Sequence, residues 1–312
     1  MKKQITDSVL MIRPASFRMN EETAVNNYFQ RKTEDINLAT NHKAQTEFDA
    51  FVELLKSKDI HVTVVEDDPK LDTPDALFPN NWISFHQDGR VALYPMFAEN
   101  RRRERREEVL LQLEEQGFTI ESIVDYTSAE EEDLFLEGTG SLILDRVNRK
   151  AYCAISARAE EELVLEFCED FEFTPIIFQA NQSVDAKRLP IYHTNVMMCL
   201  AENFAVICMA SIDDKSQRKL VANSLKQDGK QIIDITEAQM HQFAGNMLQV
   251  KSSTSNQTYL IMSKTAHDSL TKSQIAEIEK HTQILSADLN TIEVNGGGSA
   301  RCMLAEVFLP KK

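Results

Sequence analysis

Apolar positions recur at helical spacing between residues 44 and 58, where Phe48, Phe51, Val52 and Leu55 share one face of a predicted amphipathic helix. The β-branched run at 61–65 then predicts a strand. Two further apolar runs, 82–86 and 91–94, flank Gln87-Asp88-Gly89 and predict a hairpin. A helix over 101–116 follows, closed by Gly117, and then a strand over 118–124.

The order hairpin, helix, strand then returns. Residues 141–144 and 151–155 predict a hairpin, 160–169 a helix and 175–178 a strand. The third unit has strands at 196–200 and 204–209, a helix at 213–226 and a strand at 231–235. A fourth has strands at 247–250 and 259–262, a helix at 272–281 and a strand at 291–294. The period is about fifty residues, and a lone hairpin with a helix cannot bury its apolar face, so the units must stack or be arranged radially. With 9–12 and 303–309 taken as strands that complete the first unit, about five ββαβ units fit. No Pro-, Gly- or Ser-rich linker divides the chain, so residues 1–312 read as a single α/β domain.

Composition narrows the partners. The net charge of −15 and pI near 5.0 repel phosphate, which argues against nucleic acid and anionic membrane surfaces. The basic run Arg101–Arg106 is interrupted by Glu104 and reads mainly as the solvated first turns of a helix. Val9 to Ile12 is too short for a signal h-region or a membrane span. Five cysteines without paired spacing fit a reducing compartment, so a cytoplasmic protein is expected. Cys153, Cys168, Cys199 and Cys208 lie in apolar runs and read as core residues.

Cys302 differs, because it follows Asn295-Gly296-Gly297-Gly298-Ser299-Ala300-Arg301, which holds three of the nine glycines. Three consecutive glycines give up backbone entropy for unusual φ or close approach to a ligand, although a flexible turn beside a core cysteine has the same appearance. His193, at the mouth of a predicted strand, is either a structural histidine or a proton shuttle. Glu137 sits in an apolar, glycine-bearing run where a buried carboxylate needs a partner. A thiol, an imidazole and a carboxylate are what a cysteine nucleophile requires, but scattered residues are a weak signal by themselves. Asp75, Asn80 and Asn81 belong to a loop rich in Pro and Asn, which reads either as a stiff turn or as a hydrogen-bonding wall for a planar substrate.

Together PDALFPNNW (74–82), FAENRRRE (97–104), FLEGTGSLILD (135–145), CAISARA around Arg158, YHTN (192–195) and NGGGSARCM (295–303) resemble the guanidino-modifying amidinotransferase, or pentein, superfamily. The likeness is greatest to its dimethylargininase and citrulline-utilization hydrolase branch and spans nearly the whole chain in order. It implies a five-bladed α/β propeller of ββαβ units around a central site. It also implies Cys302 as nucleophile, His193 as general acid and base, Glu137 as the orienting carboxylate and Asp75 as a substrate-gripping acid. Arg102 and Arg158 fall where family members place arginines for the substrate carboxylate, with the register inside Arg101–Arg106 open.

At Asn80 and Asn81 the sequence departs from the dimethylargininase pattern, which carries acids around a cationic guanidinium. Amides add no negative charge, and their N–H groups can meet a ureido carbonyl, which favours a neutral substrate such as citrulline. The expected reaction is thiol-dependent hydrolysis at the guanidino or ureido carbon, with no metal and no cofactor, acting on a small amino acid. An amidinotransferase that passes the group to an amine, or a catalytically silent binding module, are the competing readings. Homo-oligomerisation is left open.

Overall fold

Strand Ser8–Arg13 alternates its buried side chains between two neighbours: Val9 and Met11 pack with Leu248, Val250 and Ile261, while Leu10 and Ile12 pack with Ile83 and Val91. Side chains of a strand point to opposite faces in turn, so a strand apolar at every position must be covered on both sides. The same alternation separates Val91 from Ala92, and Ile143 from Leu142 and Leu144.

The computed structural model describes residues 3–31 and 37–311. Among these it forms five three-stranded sheets and one two-stranded ribbon. In each three-stranded sheet the middle strand is antiparallel to one neighbour and parallel to the other. The second unit is Ile83–Phe85, Arg90–Leu93 and Ser122–Asp125, and the third Leu142–Asp145, Lys150–Ala154 and Thr174–Phe178. The fourth is Met198–Leu200, Phe204–Ile207 and Gln231–Asp234, and the fifth Leu248–Lys251, Thr258–Ser263 and Gln283–Ala287. The first joins both ends of the chain, with Ser8–Arg13 parallel to His61–Glu66 and antiparallel to Ala305–Glu306. Helices Asn37–Lys56, Glu107–Glu115, Glu161–Asp170, Lys215–Gln227 and Lys272–Glu279 precede the parallel strands. Each apolar cluster spans units: first with fifth, first with second, second with third, and third with fourth and fifth.

Four sequence expectations change. Residues 196 and 197, expected at the start of a strand, belong to the helix Thr194–Met197, and the strand is only Met198–Leu200. The helix over 101–116 is two helices, Glu99–Arg102 and Glu107–Glu115, because Arg101 turns inward to a buried ion pair with Glu104 and Arg106 is extended. The basic run is therefore not wholly solvated. Residues 291–294 are not a strand but part of helix Asn290–Gly296, whose first N–H groups, on Thr291 and Ile292, donate to the Glu47 carboxylate at 2.8 and 3.1 Å. Strand 303–309 shrinks to Ala305–Glu306, and the ribbon Asn181–Val184 with Lys187–Pro190 is additional, its polar sequence giving little alternation to detect. Among the described residues no helix is long and apolar enough to cross a membrane.

Phe48 is fully buried in the cluster that joins the first and fifth units. Phe48→Ala should cost about 3–5 kcal/mol in urea unfolding. A loss below about 1 kcal/mol would show that the helix contributes little to that junction.

Candidate active site

Glu137 and Arg158 are brought side by side by a backbone bridge between Leu136 and Ala159, in which the Glu137 N–H donates to the Arg158 carbonyl at 3.0 Å. Glu137 is fully buried, and its Oε2 lies 2.7 Å from His193 Nε2, 3.5 Å from Arg158 Nη1 and 3.9 Å from Arg101 Nη1. Its Oε1 accepts the Phe97 N–H at 3.1 Å. Burial pushes this carboxyl upward, but Arg158, His193 and Arg101 together outweigh it and hold Glu137 well below the usual carboxylate range.

An ionised carboxylate can only accept, so His193 Nε2 carries the hydrogen and Nδ1 keeps its lone pair. Burial pushes the imidazole down, against the pull of Glu137, to about 4. His193 is thus a neutral base at neutral pH. It occupies the N-cap position of the short helix Thr194–Met197, whose Thr194 Oγ1 accepts the Ala154 N–H at 2.8 Å. Gly140 lies against its Nδ1: a Cβ there would come within 2.9 Å of Nδ1 and 2.4 Å of Asn81 Nδ2.

Cys302 is 3% exposed and sits in a turn in which its N–H donates to the Ser299 carbonyl at 3.0 Å. Helix Asn290–Gly296 delivers this turn and ends at Gly297 in the left-handed region (φ +63°), where a side chain would strike Asn27. Ser299 Oγ donates to Glu293 at 2.6 Å, and the Tyr192 hydroxyl donates to the Gly297 carbonyl at 2.6 Å. Two asparagines face the sulfur, Asn246 Nδ2 at 3.2 Å and Asn195 Nδ2 at 3.5 Å. Asn246 is oriented by the Arg301 N–H, which donates to its Oδ1 at 3.0 Å. Amide N–H groups directed at sulfur stabilise negative charge there.

Asp75 is buried, with Oδ2 accepting from Asn20 Nδ2 at 2.8 Å and Thr23 Oγ1 at 3.1 Å, while Oδ1 has no partner. Burial raises its carboxyl, with Arg101, Asn20 and Arg158 opposing. Arg101 chelates Glu104 through Nε and Nη2, both at 2.9 Å, and donates from Nη1 to Asn81 Oδ1 at 2.8 Å. Asn81 Nδ2 donates onward to Asn80 Oδ1 at 3.1 Å, which leaves the buried Asn80 Nδ2 without a partner.

Of the residues expected from sequence, Glu137, His193 and Arg158 form one contact cluster, and Asn81 joins it through Arg101. Asp75 is tied to the same cluster because Thr23 donates to its carboxylate while the Thr23 carbonyl accepts Arg158 Nη2 at 2.9 Å. Arg158 also donates to Asn26 and stacks 4.9 Å from the centre of the Tyr192 ring. Arg102 stays apart from it: its Nε donates to the Met96 carbonyl at 3.1 Å and lies 3.5 Å from Glu130. Sequence reasoning did not single out Arg101, Asn20, Thr23, Asn195 or Asn246. Asn195 stood two residues from His193 in a quoted motif, but Asn246 carried no signal beyond a Gly-Asn pair.

A family profile described as N,N dimethylarginine dimethylhydrolase, eukaryotic, matches residues 13–309. The chain belongs to that family. It thereby falls in the guanidino-modifying pentein superfamily, on its dimethylargininase-like branch. Similar folds include the substrate-bound N-terminal domain of ArgZ, an arginine dihydrolase from the ornithine-ammonia cycle in Cyanobacteria, with TM-score 0.71 and 17% identity over 97% of this chain and 99% of that one. Against full-length ArgZ the alignment covers 98% of this chain but 41% of the other, with TM-score 0.72 and 18% identity. A dimethylarginine dimethylaminohydrolase bound as an adduct with S-methyl-L-thiocitrulline gives TM-score 0.62 and 15% identity over 98% of this chain and 100% of that one. These relatives are hydrolases of the guanidino-modifying family. No curated protein sequence matches the chain.

Two outcomes follow from the His193 environment. A base whose pKa is depressed from 6.5 to about 4 stays neutral until the pH falls towards the lower value. Its stabilising contribution is complete above pH 6.5 and is lost as the pH falls through about 4. Accordingly kcat/KM should hold through pH 6.5 and fall towards about 4, whereas a fall centred at 6.5 would contradict the assignment. Gly140→Ala should displace the imidazole and lower kcat about a hundredfold with circular dichroism unchanged; full activity would show that the close approach is unimportant.

Proposed function

We propose that this chain is a cysteine-dependent hydrolase acting at the central carbon of a guanidino or ureido group, and that its preferred substrate is citrulline, converted with water to ornithine, ammonia and CO2. The observation that carries the ureido reading is the unpaired donor on Asn80. An amide can be reversed in place, but the neighbours remove that freedom. Arg101 has only donors, so Asn81 must present Oδ1 to it; Asn81 Nδ2 must then meet Asn80 Oδ1, and Asn80 Nδ2 is left over. A buried donor needs an acceptor. A guanidinium brings only N–H groups, whereas a ureido group brings a carbonyl oxygen. The unpaired Asp75 Oδ1 supplies the complementary acceptor for ureido N–H groups.

The chemistry takes the roles that the family resemblance implies for Cys302, His193 and Glu137. Neutral His193 takes the Cys302 thiol proton at Nδ1, and Asn246 and Asn195 steady the resulting thiolate. Sulfur bonds to the ureido carbon. The bond from that carbon to the ornithine nitrogen breaks as the imidazolium returns its proton to that nitrogen, since an amine leaves poorly without one. The imidazolium is made a ready donor by the same burial and neighbouring arginines that depress its pKa. An S-carbamoyl enzyme remains. Water, deprotonated by His193, attacks the carbamoyl carbon, the carbon–sulfur bond breaks, and the carbamate released decomposes to ammonia and CO2. Glu137 holds the ring and balances its charge throughout.

Arg158 and Asn81 act here as groups that shape the pocket, and no carboxylate-binding role is carried to Arg102, whose guanidinium is held by the Met96 carbonyl and Glu130. The five sheets are read as the blades of a pentein propeller. What supports this is that the first sheet joins both chain ends and that the apolar clusters link successive units and return from the fifth to the first.

Cys302→Ala should abolish turnover while preserving the unfolding transition. Asn80→Asp replaces the free donor by an acceptor and should lower kcat/KM for citrulline by roughly ten- to a hundredfold, the cost of an unmatched buried polar contact, while arginine gains relative to it. Asn80 is the informative position, because an acid at Asn81 would be absorbed by Arg101. Equal loss on both substrates, assayed as ornithine and ammonia release, would refute the ureido assignment.

A further inference from the structure

The hairpins of the second and third units carry an arginine-lined cavity of about 140 Å3 at their turns. It lies at the ends of the strands remote from the catalytic cluster. Asn81 and Ser141 precede strands Ile83–Phe85 and Leu142–Asp145, whereas His86 and Arg146, which line the cavity, follow them.

Three arginines line it, and each has a ring beneath its guanidinium: Arg90 over Phe171 at 4.3 Å, Arg146 over Phe308 at 4.0 Å and Arg149 over Phe173 at 3.9 Å. Stacking occupies a guanidinium face and leaves its N–H edge for other partners. Arg90 uses that edge on Asp88 and on the Asp170 carbonyl. Arg149 donates from Nη2 to the Phe171 carbonyl, but its buried Nε has no partner. Arg146 is 5% exposed, and among the described residues no hydrogen bond or ion pair reaches its guanidinium. Glu306, the acid that acts on it electrostatically, is committed to Arg301 at 2.9 Å.

An arginine cannot discard its charge, so burying one without a counter-charge is costly. Of the two acids lining the cavity, Asp88 is held by Arg90, and Glu172 acts on Arg149. His86 is kept neutral by burial and by the arginines, so it adds no competing charge. We propose that this cavity binds a small oxyanion, phosphate-like or a carboxylate, through the free edge of Arg146, with the charge of Arg149 beside it. Its volume is equivalent to about five waters at roughly 30 Å3 each, enough for such an ion and short of the 300 Å3 or more of an ordinary cofactor pocket. The site is separate from catalysis and stabilises the junction of the two hairpins.

The test is thermal unfolding of the whole chain in chloride at constant ionic strength, titrated with inorganic phosphate and separately with acetate. A saturable rise in midpoint is expected with at least one anion, roughly 5 °C at a hundredfold excess over Kd. Saturation with phosphate alone names a tetrahedral ligand, and with acetate alone a carboxylate. Arg146→Gln should remove the rise. Calorimetric titration of the unaltered protein with the same anions gives the answer independently if the variant does not fold. An unsaturable rise shared by protein and variant, as excluded salts produce, or no binding heat with either anion, would overturn the proposal.

Discussion

The buried Glu137 carboxylate is the charge on which the site depends. It is fully enclosed, and two arginines and an imidazole are arranged so that it stays ionised. Removing one partner from such a group leaves an uncompensated charge in a medium that cannot solvate it. The positions of Arg101, Arg158 and His193 are therefore linked through a single acceptor. It also fixes the imidazole tautomer, because an acceptor facing Nε2 leaves Nδ1 as the basic nitrogen. Electrostatics that would be a liability in a core here define which imidazole nitrogen keeps its lone pair.

Orientation propagates from the same charges into neutral groups. Arg101 joins Glu137 to Glu104 and, by having no acceptor, sets Asn81 and through it Asn80. A separate backbone contact, from Arg301 to Asn246, sets the amide that faces the Cys302 sulfur. The segment from Asn20 to Gln30 binds these parts together. Asn20 and Thr23 hold Asp75, Asn26 holds Arg158, and Gln30 reaches the Gly296 carbonyl. What distinguishes the loop is unpaired hydrogen-bonding capacity, on Asn80 and Asp75, rather than net charge, since its amides carry none.

Much of this was legible in the sequence for physical reasons. Strands covered on both faces leave dense apolar runs, and turns leave Gly and Asp, so the repeating unit could be counted before it was seen. Cys302, His193 and Glu137 stood in ordered motifs. The helix at Asn290–Gly296 misled because Thr291 and Ile292 are β-branched, while the acceptor that caps it, Glu47, is far away in sequence. Arg101 was hidden in a run of arginines because only tertiary burial separates it from Arg102. Asn246 was invisible for a similar reason: its contact with the Cys302 sulfur depends on the direction of one N–H group, which composition does not encode.

The most direct test of the central claim is to quench the enzyme during citrulline turnover and examine the Cys302-containing peptide by mass spectrometry with carbon-labelled ureido substrate. The expected result is a labelled carbamoyl group on Cys302 that forms and decays at rates consistent with turnover. Steady release of ornithine with the label never on that cysteine, or on another residue, would contradict it.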